Sequence, residues 1–157
     1  MRAMREGRTI IEALVTAPES GDTSAAMDNA KNPALYITLR PAYPKAPALA
    51  ARRVLLSDLP GFPGQSAVVA ITYDHVYPDV VPDDASEKDA LIDQICRAGM
   101  IVSARLDTDG DAGTRSEYDL VGRVTAPGGE CGGESPEVNL RGRGPAGRFF
   151  VRQLGGA

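Results

Sequence analysis

Tryptophan is absent from this chain, histidine occurs once, cysteine twice, and aromatic residues make up only 5% of its 157 positions. Each scarcity removes a class of chemistry. One imidazole, His75, with two widely separated cysteines cannot supply the four ligands of a structural zinc site. Nor can it supply the two His, one Cys and weak Met of a blue-copper site. No metal and no cofactor is expected. A Ser–His–Asp or Cys–His set would have to use His75 as its base. Asp74 adjoins it, but neighbours on a strand point to opposite faces, and no Gly-x-Ser-x-Gly elbow accompanies the pair. A hydrolase centred on His75 therefore ranks last among the functional readings, and the chain reads as a non-enzyme.

Long apolar runs are missing too. Gln65 to Tyr73 is one of the longest, well short of the ~20 residues a membrane-spanning helix needs, so no direct membrane span is expected. Basic charge is not in excess: 17 Lys and Arg against 21 Asp and Glu give a net charge of −4. A nucleic-acid footprint is thus lacking at whole-chain level. Arg141-Gly-Arg-Gly144 is similar to RGG-type segments, but one such pair on an acidic chain reads as a solvated loop. Residues 1–8 are basic with no apolar stretch behind them, which reads as an N-terminal arm rather than a secretory signal. Cys96 and Cys131 are too far apart for a CxxC motif, and either one disulfide or two free thiols fits the spacing.

What the chain does have is turn formers: 17 Gly and 12 Pro, in a composition 43% apolar and 24% charged. This favours many short elements over a helical bundle. Period-2 patterning and β-branched residues predict strands at Thr9–Thr16, Ala34–Arg40, Leu49–Leu56, Ser66–Tyr73, Met100–Leu106, Tyr118–Thr125 and Arg148–Leu154. In the second, Leu35, Ile37 and Leu39 share one face. Pro41, Pro44 and Pro47 predict an edge or a crossover between sheets, because each lacks an amide donor. A single helix is expected over Asp84–Ala98, centred near 86–97, with Ser86 as its cap, Asp89 completing a capping-box pattern, and Gly99 ending it. Its stripe of Leu91, Ile92, Ile95 and Cys96 suits the covering of one open end of a sandwich.

Residues 126–147 hold seven Gly and three Pro, which predicts a mobile excursion rather than a packed element. The Gly-rich part lacks the Lys and following helix of a phosphate-binding loop. Asp107, Asp109 and Asp111 invite a calcium reading, but position 6 of such a loop would be Ala112 and position 12 Tyr118, so the pattern fails. Asp109-Gly110 fits a hairpin turn better. The whole reads as a single all-β domain over 9–157: an antiparallel β-sandwich of about seven strands, immunoglobulin-like or cupredoxin-like.

Three stretches carry a family resemblance. They are Ala34-Leu-Tyr-Ile-Thr-Leu-Arg40; Pro47-Ala-Leu-Ala-Ala-Arg-Arg-Val54 with Asp58-Leu-Pro60; and Ile101 to Ala112 with Asp119-Leu120 and Gly122. In order and spacing, from about Thr9 to Thr125, they resemble the C-terminal β-sandwich domain of bacterial cytochrome c biogenesis proteins, the apocytochrome chaperones of haem ligation. In that family the domain follows membrane helices and a helical repeat region, which this sequence does not contain. The resemblance carries over no catalytic residue. It implies a non-enzymatic protein-interaction module, an accessory or assembly component of a membrane electron-transfer complex, photosynthetic or respiratory. Its partners would be protein subunits of that complex, in an organellar or periplasm-like compartment. The contact candidates are Arg52 and Arg53 on the strand Leu49–Leu56, Arg141 and Arg143, the exposed face of the 86–97 helix, and the Gly-rich 126–147 excursion. The alternative is a calcium- or ligand-binding sandwich using Asp107–Asp111.

Overall fold

The computed structural model describes residues 8–17, 33–62, 64–107, 120–133 and 135–142. Within them lie eight strands: β1 (Thr9–Thr16), β2 (Ala34–Pro41), β3 (Ala50–Leu55), β4 (Ala67–Thr72), β5 (Met100–Asp107), β6 (Leu120–Ala126), β7 (Glu137–Asn139) and β8 (Arg141–Gly142). They form two sheets, a three-stranded one ordered β4-β1-β7 and a five-stranded one ordered β3-β2-β5-β6-β8. Every pairing is antiparallel except that of β1 with β7, which is parallel. The expected all-β sandwich is the observed architecture. The strand expected at Arg148–Leu154 lies outside the described residues.

Alternation builds the core. Leu35, Ile37 and Leu39 of β2 are fully buried and stand in register with Leu106, Ala104 and Val102 of β5. The smaller sheet contributes Ala13, Val15, Val69 and Ile71 to the same cluster. Each large aliphatic side chain buried this way favours folding by ~1.5–3 kcal/mol before entropy is counted. The proline-bearing stretch after β2 is neither an edge nor a crossover. Pro41 keeps register opposite Met100, and β2 and β3 pair directly, so residues 42–49 are a loop within one sheet. Lys45 takes a φ of 59° there, and the Leu49 amide closes the loop on the Leu39 carbonyl at 2.8 Å.

Helix α1 (Ala85–Ala98) buries Ile92, Ile95 and Cys96 against the core. Its cap is Asp84, not Ser86: an Asp84 carboxylate oxygen accepts from the Glu87 amide at 3.0 Å. Both residue types cap well, but Asp84 holds the extended backbone a cap requires while Ser86 is already helical. Gly99, with φ 101°, ends the helix as expected, its amide donating to the Ile95 carbonyl.

The Gly-rich segment is where expectation and structure part. Far from being an excursion, its described residues are pinned at every few positions. Cys131 forms a disulfide with Cys96. The Gly129 amide donates to the Cys96 carbonyl at 3.0 Å and the Gly132 amide to the Ile10 carbonyl at 2.7 Å. Val138 and Leu140 are core residues, 0% and 2% exposed. The chain passes from β6 to β7 in the small sheet and back to β8 in the large one. It can do so because Gly122 has no side chain: a Cβ there would sit 2.6 Å from the Asn139 carbonyl oxygen.

Candidate functional site

The inner faces of the two sheets are alike, but their outer faces differ. Strands β1, β4 and β7 contain no Lys or Arg at all, while the five strands of the larger sheet carry six arginines and a single acid, Asp107. That is a surplus of five positive charges inside a chain whose net charge is −4. Strand register then gathers them. Tyr36 stands opposite Arg53 on one side and Arg105 on the other, Arg105 opposite Val121, and Val121 opposite Arg141. The row across the sheet is therefore Arg53–Tyr36–Arg105–Val121–Arg141. Thr38, Ser103 and Arg123 form part of the neighbouring row. Arg141 apart, these two rows line most of an open groove of about 850 Å³, to which Tyr77 also contributes.

Tyr36 organises the row. The Arg53 and Arg105 guanidinium carbons lie 5.9 and 5.2 Å from its ring centre, within cation–π range. Arg53 Nε also donates to the Tyr36 hydroxyl at 3.0 Å. Arg105 meets the carboxylate of Asp107, two residues along the same strand and on the same face, at 3.1 Å. Asp107 is 0% exposed, so its charge is neutralised by an ion pair rather than by water. The face thus presents planar, forked donors in preset directions, the geometry that suits carboxylates.

Of the residues singled out by sequence, Arg53 and Arg141 lie on this face, exposed. Arg52, one position along β3, points the other way. Its Nη1 donates to the Ala70 carbonyl of β4 at 2.6 Å, bridging the two sheets at their β3/β4 flank. Arg143 lies outside the described residues, as do Asp109 and Asp111, and Asp107 serves Arg105. The helix stripe faces the core. Sequence reasoning missed Tyr36, Arg105 and Arg123. The available signal was that each occupies the polar phase of its strand, but only the register shows that these phases share one face.

His75 has a structural job. Its Nδ1 accepts the Thr72 backbone N–H at 2.9 Å, and the Thr72 hydroxyl caps the following turn by accepting from the Asp74 amide at 3.3 Å. Burial, and secondarily the Arg52 charge, hold its pKa below the ordinary 6.5, with Asp74 opposing. The ring is neutral at pH 7, and Nδ1 is occupied as an acceptor.

Comparison with known protein families, curated proteins and solved structures finds no match for this chain, and the functional reading rests on the geometry of the arginine-bearing face.

Proposed function

We propose that the chain is a non-enzymatic protein-interaction module that presents the outer face of its five-stranded sheet to a partner protein. The observation that supports this most is the cross-strand row: arginines from β3, β5 and β8, remote in sequence, fall on one line with Tyr36 and Val121 between them. Arginine and tyrosine are residues that dominate binding energy at interfaces, and a rigid sheet holds them without an ordering cost on association. The Cys96–Cys131 disulfide favours an oxidising compartment, in keeping with a periplasm-like setting. An accessory or assembly role beside a membrane electron-transfer complex is the specific form of this reading, and its support is the resemblance of the three strand segments.

Site-directed photo-cross-linking tests the surface. A photo-reactive residue at Ser103, in the groove, should capture a partner in native membranes or extracts, and the capture should disappear in an Arg53→Glu/Arg123→Glu background. The same group at Val68, exposed on the other sheet, should capture nothing. Equal capture from both positions, or capture indifferent to the charge reversals, would overturn the assignment.

A further inference from the structure

We infer that the Cys96–Cys131 disulfide is a reversible latch: a dithiol reductant opens it, frees the glycine-rich strap 127–133 and uncovers an apolar cavity beneath. The inference does not depend on the interaction role proposed above. Gly128, Gly129, Gly132 and Gly133 make up four of the seven strap residues, so few side chains restrict its backbone. The chain is anchored on either side, at Ala126 and Val138, which are 6% and 0% exposed. None of the described residues between those two anchors is buried. What holds the strap down is the disulfide, with amide bonds from Gly129 to the Cys96 carbonyl and from Gly132 to the Ile10 carbonyl. Segments with little buried apolar surface open locally at low cost, and here the covalent link opposes that opening.

Beneath the strap lies a cavity of about 270 Å³, lined on the core side by Ile10, Ile11, Cys96 and Met100, none more than 4% exposed. A strap swung away from Cys96 presents those side chains to water or to an apolar ligand. The two sulfurs are not equivalent. Cys96 is buried on α1, while Cys131 is half-buried in an otherwise exposed strap, so the reductant's thiolate attacks Sγ of Cys131. The Cys96 sulfur leaves as a thiolate and takes up a proton. The reductant's second thiol then attacks its own sulfur in the mixed disulfide and releases Cys131. Two electrons and two protons enter the pair, and the reductant ends as a disulfide. A disulfide-bearing oxidant runs the same exchange backwards and closes the strap.

The test is NMR-detected amide exchange on the full chain, oxidised and after reduction with dithiothreitol, the free thiols being confirmed by alkylation and mass. Exchange at Gly129 and Gly132 should rise about 100-fold on reduction, while Ile37 and Val102, on the interior strands β2 and β5, keep their protection. Fluorescence of an apolar-surface dye, anilinonaphthalene sulfonate, should rise in parallel and fall again on reoxidation. The Cys96→Ser/Cys131→Ser chain should show fast exchange and a bright dye without reductant, and reductant should change neither; if that variant does not fold, the reduced wild-type chain decides. Protected Gly129 and Gly132 amides in the reduced chain, or a flat dye signal, would overturn the inference. So would exchange that rises equally at Ile37 and Val102, which marks the disulfide as a staple of the whole fold, or a disulfide that dithiothreitol cuts only once urea has unfolded the chain.

Discussion

The two flanks of the sandwich are closed by different means. On one, the chain itself does the closing: residues 127–142 cross between sheets, locked by the Cys96–Cys131 disulfide and by amide bonds from Gly129 and Gly132. On the other, where β3 faces β4, one backbone bridge joins Ala50 to Val76, and the remaining work falls to side chains. Arg52 reaches the Ala70 carbonyl, and His75 covers the Thr72 amide. The first flank is held by a covalent link and backbone bonds. The second depends on a charge and on a neutral imidazole in proximity, so acid acts on one flank and reductant on the other.

Breaking the covalent flank should have the largest effect. Replacing both cysteines by serine removes a cross-link spanning 35 positions, worth about 3–4 kcal/mol by the chain-entropy relation, and urea unfolding of the variant against the oxidised wild type measures the loss. Gly128→Ala sharpens the same point without touching the disulfide. A Cβ there would sit 1.9 Å from the Arg97 carbonyl oxygen, and since backbone must give way the expected cost is about 2–3 kcal/mol. The opposite flank should yield less: Arg52→Met forfeits one charged hydrogen bond at a partly exposed seam, about 1–2 kcal/mol. The same variant should raise the His75 pKa, followed by NMR titration of the ring, because the Arg52 charge is one of the causes lowering it.

The smallest effect is the pH dependence of that flank. His75 is harder to protonate folded than unfolded, so below 6.5 the unfolded chain takes up a proton that the folded chain resists. The stability tied to the ring is complete above pH 6.5 and is lost as pH falls toward the lower folded value. Urea midpoints at pH 7.5 and 5.5 should therefore drop more for wild type than for His75→Gln; equal drops would mean that the cap carries no weight.

How much of this could be read in advance depends on how local each cause is. β1 and most of β5 were legible because residues of alternating burial follow one another along the chain. The helix was legible too, apart from its cap, where Asp84 and Ser86 offer competing oxygens two residues apart. Strands β7 and β8 were not legible. They are three residues and two residues long, too short for any period, and their partners β1 and β6 are distant in sequence or separated by a crossing. Val138 and Leu140 consequently looked like isolated apolar residues in a Gly-rich tract. The disulfide was undecided, since nothing near Cys96 in sequence points to Cys131. The site was half-legible. Arg53 and Arg141 stood out as charges, but their alignment with Tyr36, Arg105 and Val121 is a property of register, and register is set by pairings between strands far apart in the chain.

The parallel pair has a consequence for how the molecule is made. Strand β1 leaves the ribosome first among the strands, yet the hydroxyl of Thr16 bonds to Asn139, 123 residues later, and Leu14 pairs beside Glu137. Until those residues emerge, β1 has β4 on one side and an open edge on the other. A nascent chain stalled short of Glu137 offers that edge to any neighbour, and residues 137–139 of another copy are the segment best shaped to take it.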